Sequence, residues 1–180
     1  MQYLNPDIES SYRQNDLGRT LYDLVVTLKP KKILEFGVLN AYSTVCMAMA
    51  LHELGRGKIQ AYDLWGSYKF KHGEKHECMW EVMKRGLGKH IQFIEGDFWF
   101  TDIPRDCDMI CLDISNDGNI IKKAVKKLRD GGFKGIIVFE GGSPERDSVE
   151  WMKKYKRLPI AQSGVKYKII NHKFPSISIT

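Results

Sequence analysis

Apolar positions along the chain alternate between two spacings. Over residues 16–28, Leu17, Leu21, Leu24, Val25 and Leu28 form a helical stripe closed by Pro30. Residues 31–38 are a short apolar run ending beyond Gly37, the form of a buried strand. Residues 41–54 are rich in helix formers and stop at Gly55 and Gly57. The pattern then predicts a strand over 59–65, a helix over 77–85, strands over 91–94 and 108–114, and a helix over 119–129 ending at Gly131-Gly132. A strongly apolar strand follows over 135–140. Ser143-Pro144-Glu145 carries a cap residue, a first-turn proline and an early acid, predicting a helix that reaches Tyr155. Residues 165–170 and 176–180, around Asn171–Pro175, predict a closing hairpin.

Strands that alternate with helices and read as continuous apolar runs belong to a parallel sheet covered on both faces. The expectation is therefore an α/β, doubly wound fold in one domain over 1–180, with an N-terminal helical segment at 1–30. Residues 66–77 are polar, basic and aromatic and read as an exposed insertion.

Composition narrows this little. With 43% hydrophobic residues and no apolar run long enough to cross a bilayer, the chain reads as a globular protein. Its N-terminus lacks the basic and apolar regions of a signal peptide, so the expected location is cytoplasmic. The four cysteines form no C-x-x-C pair. Cys107 and Cys111 would lie on one strand face roughly 13 Å apart, too far to share a metal or a disulfide, and buried free thiols are expected. A net charge of +6 could attract anions, but Lys122, Lys123, Lys126 and Lys127 recur at the spacing of a solvated helix face.

In such folds ligands bind beyond the carboxyl ends of the strands, near the reversal of strand order. After the first strand, Gly37 permits a tight turn and close approach to a ligand, and Glu35 and Ser43 face the same crevice. Asp63 ends the second strand, about twenty residues beyond a glycine turn, where a carboxylate suits two ribose hydroxyls. After the third strand, Asp97 suits an adenine amino group, with Phe98 packing on the ring. Asp113 and Glu140 end the fourth and fifth strands.

With these residues in view, the chain resembles class I S-adenosylmethionine-dependent methyltransferases. The E-x-G-x-x-x-(G/A)-x-S pattern, here Glu35, Gly37, Ala41 and Ser43, is similar to the catechol- and macrocin-type O-methyltransferases. The resemblance runs from Lys31 to the end. It implies a Rossmann-like, mostly parallel seven-stranded sheet with helices on both faces and a C-terminal antiparallel hairpin. It also implies S-adenosylmethionine as cofactor and S-adenosylhomocysteine as product. The implied cofactor contacts are Glu35, Gly37, Val38, Asn40, Ser43, Asp63, Leu64, Asp97, Phe98 and Asp113, and Asp113 and Glu140 are the catalytic candidates. The metal-dependent branch uses an Asp after the fourth strand and an Asp-Asn pair after the fifth. Here the pair reads Glu140-Gly141, and Asn116 replaces the branch's catalytic lysine, so no obligatory metal is expected.

Methyl transfer asks the protein mainly to align a nucleophile and exclude water, with a base where a proton must leave. A nicotinamide-dependent oxidoreductase is the rival reading, but G-x-G-x-x-G is missing, since Leu39 and Asn40 follow Gly37. Binding or breakdown of the cofactor without methyl transfer is a second rival. Asp113-Ile114-Ser115-Asn116 is unlike the Asn/Asp-Pro-Pro-aromatic motif of amino-methylating nucleic-acid enzymes. A small-molecule acceptor methylated at oxygen is favoured over nucleic acid, and the basic insertion suggests an anionic one; no membrane partner is expected, and a homodimer is left open. His72 and His76 in the insertion lack a third metal ligand in sequence and read as part of a basic lid.

Overall fold

A computed structural model describes residues 2–68 and 71–180. Its core is a seven-stranded sheet in the order β3-β2-β1-β4-β5-β7-β6. The parallel strands are β1 (Lys32–Phe36), β2 (Lys58–Asp63), β3 (Ile91–Glu95), β4 (Met109–Leu112) and β5 (Ile136–Glu140). β7 (Ile177–Ile179) runs antiparallel between β5 and β6 (Lys168–Asn171), so the expected closing hairpin forms the sheet edge.

Successive side chains of a strand point to opposite faces, and this divides the core. Ile33, Ile59, Met109 and Val138 pack toward α1 (Leu17–Leu28) and α2 (Tyr42–Glu53). Leu34, Phe36, Ile110, Leu112 and Phe139 pack on the other side with α4 (Gly118–Asp130). α2 is apolar on nearly every side because α1 covers the face it turns from the sheet, and Val45 through Leu51 are all buried. α4 is instead amphipathic, with Ile121, Ala124 and Leu128 buried and its lysines outward, as its spacing predicts. α3 (Lys75–Met83) buries only Cys78 and Val82.

The structure corrects some boundaries. Trp65 lies in a short 3-10 turn beyond β2. Residues 2–12 are not helical, so the N-terminal segment becomes helical only late. The helix expected from Ser143 is interrupted. The Ser143 hydroxyl caps α5 (Pro144–Asp147), and α6 (Glu150–Lys154) starts anew at Val149, whose extended backbone cannot continue a helix. All four cysteines are buried thiols. Among the described residues no helix is long and apolar enough to cross a membrane.

His90, just before β3, is sealed from solvent, with Nδ1 2.9 Å from the Gly57 carbonyl oxygen. Burial holds its imidazole below the ordinary histidine range. The unfolded chain takes up a proton there below about pH 6.5, while the folded chain resists it. The stability that depends on a neutral His90 is therefore fully present above that pH and declines as pH falls through it. The wild-type urea midpoint taken relative to that of His90→Gln at the same pH, which cancels the opposite linkage of the raised Glu35 and Asp113 carboxyls, should fall between about pH 7 and pH 5.5; a difference that does not change with pH would contradict this reading.

Candidate cofactor crevice

The strand order reverses between β1 and β4, and the crevice opens above their carboxyl ends. Gly37 is required there twice over. Its φ is 91°, and a Cβ on it would lie 2.3 Å from the Asp113 carbonyl oxygen. Leu39 (φ 51°) and Ala41 (φ 65°) are also left-handed, a conformation costing non-glycine residues about 1–3 kcal/mol each. Asp63 supports this strained turn. Its Oδ2 accepts from the Val38 and Leu39 amides at 2.7 and 3.1 Å, and its Oδ1 accepts from the Trp65 amide at 3.0 Å. A carboxylate has about four acceptor sites, so one remains for a ligand.

The resulting cavity of about 390 Å³ falls in the range of small-molecule sites. Gly37, Asp63, Leu64, Asp97, Phe98 and Asp113 all line it. Asp97 is held in place by accepting from the Trp99 amide at 2.8 Å. Phe98 is only 2% exposed and packs edge-on against Phe36, so it forms the cavity's inner wall. The ring that opens outward is Trp99, 39% exposed, and not its neighbour Phe98, the residue expected to pack on an adenine ring. Leu39, Tyr68, Lys71, His72 and Ile114 also line the cavity.

The insertion at 66–77, of which residues 69 and 70 lie outside the described residues, is mostly exposed yet docks on this turn. A Cβ on Gly73 would lie 1.9 Å from the Leu39 carbonyl oxygen, and the Cys78 thiol donates to that oxygen at 3.2 Å. Lys71 pairs with Glu9, and the Asn40 side-chain amide donates to the Glu9 carbonyl oxygen at 3.1 Å. Asn40 thus ties the turn to the N-terminal segment, and Val38 presents its amide to Asp63; neither lines the cavity.

A second recess of about 20 Å³, room for one water molecule, lies beside the first. Tyr12, Glu35, Ser43, Cys111, Asp113 and Glu140 border it. Glu35 is buried, and its two oxygens accept from the Ser43 and Thr44 hydroxyls at 2.5 Å each. Burial pushes its carboxyl up to about 7 even though both hydroxyl donors pull it down. Asp113 borders both cavities and accepts from the Tyr12 hydroxyl at 3.4 Å. Protein atoms crowd it, and with the nearby Glu140 and Glu35 charges they push its carboxyl above the usual range. Its surface stays open to the crevice, which moderates the effect.

Glu140 is differently placed. Its Oε1 accepts from Arg146 Nε at 2.7 Å and from the Asn116 side-chain amide at 2.5 Å, with Arg146 Nη2 at 2.6 Å. Both members of the ion pair are buried. A divalent ion would have to displace this guanidinium, and Gly141 offers no side-chain ligand, so the donor set does not fit the metal that the catechol-type branch implies. Among the described residues no three ligand-type side chains gather to hold an ion, His72 and His76 included. Methyl transfer, the reaction that the sequence resemblance implies, should on this donor set survive EDTA; loss of turnover on chelation, restored by magnesium, would overturn this.

No protein-family model matches the sequence, and no curated protein matches it. Solved structures do match it in fold. A methyltransferase of Podospora anserina with bound S-adenosylhomocysteine is 16% identical, with a TM-score of 0.62 over 95% of this chain and 78% of that one. An O-methyltransferase of Streptomyces achromogenes involved in tomaymycin synthesis, in complex with S-adenosylmethionine, is 16% identical, with a TM-score of 0.59 over 97% and 81%. An O-methyltransferase of Bacillus cereus in complex with S-adenosylhomocysteine is also 16% identical, with a TM-score of 0.59 over 97% and 83%. The chain has the Rossmann-like fold of S-adenosylmethionine-dependent methyltransferases.

Proposed function

We propose that the chain is an S-adenosylmethionine-dependent methyltransferase acting on an oxygen of a small-molecule acceptor. The observation that carries this reading is the single crevice that gathers Asp63, Asp97 and Asp113 from three successive strand ends at the switch point. Asp63 and Asp97 are assigned to the ribose and adenine, with Trp99 and Leu64 as apolar walls. The bound cofactor supplies an activated methyl group, already electrophilic, so the protein's own work is to hold the acceptor in line and keep water out.

When a hydroxyl oxygen takes the methyl group, its proton must leave. Asp113 is assigned as the acceptor of that proton, because it opens on the crevice and its raised pKa brings it nearer the operating pH. Glu140, the other acid expected there, is engaged by Arg146 and Asn116 and is assigned to holding the acceptor wall. Glu35 and Ser43 are assigned to shaping the floor beneath the cofactor's amino-acid end.

Calorimetry tests the reading: S-adenosylmethionine and S-adenosylhomocysteine should both bind at micromolar affinity. Absence of binding, or tighter binding of NADH, would overturn it.

A further inference from the structure

Beyond β4 and β5, four polar side chains form one continuous network. Arg157 Nη1 donates to Asn116 Oδ1 at 3.1 Å, Asn116 Nδ2 donates to Glu140 Oε1 at 2.5 Å, and Arg146 Nε donates to the same oxygen at 2.7 Å. Both guanidiniums rest against one indole: Arg146 lies 4.6 Å and Arg157 4.8 Å from the Trp151 ring centroid. Glu140 neutralises one of these two cations. Arg146 Nη1 is nevertheless buried without a hydrogen-bond partner among the described residues. Arg157 is half-buried, and Asn116 engages one of its five N–H donors.

The segment that carries Trp151 and Arg157 is also rich in positive charge. Residues 150–173 hold seven lysines and arginines against Glu150 alone, a surplus of six. That equals the net charge of the whole protein, so the remainder is balanced.

We propose that Arg157, anchored to Asn116 and set against Trp151, is the specificity-determining residue for the acceptor, and that the acceptor is a small molecule bearing a carboxylate or phosphate group. This rests on the methyltransferase reading of the crevice and names the substrate class for it. The planar guanidinium suits either oxyanion through paired N–H donors. Asn116 links it to Glu140, which borders the same small recess as Asp113, the assigned proton acceptor. On this proposal the anion sits on the Glu140 side of Asp113, and the chemistry of transfer is unchanged.

The test uses the full chain saturated with S-adenosylhomocysteine. Benzoate and phenyl phosphate are titrated against their neutral counterparts, benzamide and phenol, while the Trp151 indole N–H is followed by NMR. At least one anion should bind tenfold or more tightly than its neutral counterpart and shift the indole signal. Which of the two does so separates carboxylate from phosphate. Arg157→Gln should erase the preference and leave S-adenosylhomocysteine affinity unchanged. Equal binding of anions and neutrals, or a preference that survives Arg157→Gln, overturns the proposal. So does a tenfold loss of S-adenosylhomocysteine affinity in the variant, which would assign Arg157 to the cofactor's own carboxylate. Salt-resistant binding of a single-stranded oligonucleotide that displaces the aromatic anions would transfer the basic surface to nucleic acid. Failure of the cofactor itself to bind is measured separately and counts against the methyltransferase reading.

Discussion

Arg146→Met should cost the fold about 3–5 kcal/mol, the usual penalty for removing one partner of a buried ion pair. The loss comes from what is left behind. Glu140 would stay buried with its charge unpaired and only the neutral Asn116 amide bonded to it, beside a recess with room for a single water molecule. The thioether of methionine would still pack on Trp151, so little of the effect is a cavity. At this chain length the melting temperature should fall by about 10 °C. Denaturant titration at constant m checks the value. The double variant Glu140→Gln/Arg146→Met should recover more than half, because the stranded charge is then absent. A loss under about 1 kcal/mol in the single variant would place the pair among surface ion pairs and refute the description.

Asp63→Ala should weaken S-adenosylmethionine and S-adenosylhomocysteine alike, since both carry the ribose that Asp63 is assigned to hold. One charged hydrogen bond is worth about 1.5–3 kcal/mol, a roughly tenfold to 150-fold rise in Kd. The structure adds a second cause. Asp63 also accepts from the amides that hold Leu39 in its left-handed conformation, so its removal loosens the turn as well as the ligand contact. Asp63→Asn keeps an oxygen for that turn and should lie between wild type and the alanine variant. Calorimetry against both ligands gives the order directly. An alanine variant within threefold of wild type would mean that Asp63 serves the turn alone.

Much of the fold was legible in residue order. The strands at residues 32–36, 109–112 and 136–140 are runs buried on both faces, and such runs need no distant information to be recognised. The stripe at Leu17, Leu21 and Val25 marked α1, and the acids at strand ends marked the crevice, because a parallel sheet brings all its carboxyl ends to one side. What only the tertiary structure decided was which partner each polar group takes. Glu35 and Ser43 both pointed toward a ligand in sequence, yet they bond to each other, because the alternation of β1 turns Glu35 toward the start of α2. Glu140 stands at a strand end by sequence, and only the fold shows that α5 brings Arg146 against it from six residues away. Phe98 and Trp99 are adjacent and equally aromatic, and only packing against Phe36 settled which is sealed and which opens outward. Sequence spacing fixes the end of the sheet at which a side chain stands. Its partners are chosen by whatever else folds into reach, and in a close-packed interior that is a property of the whole chain.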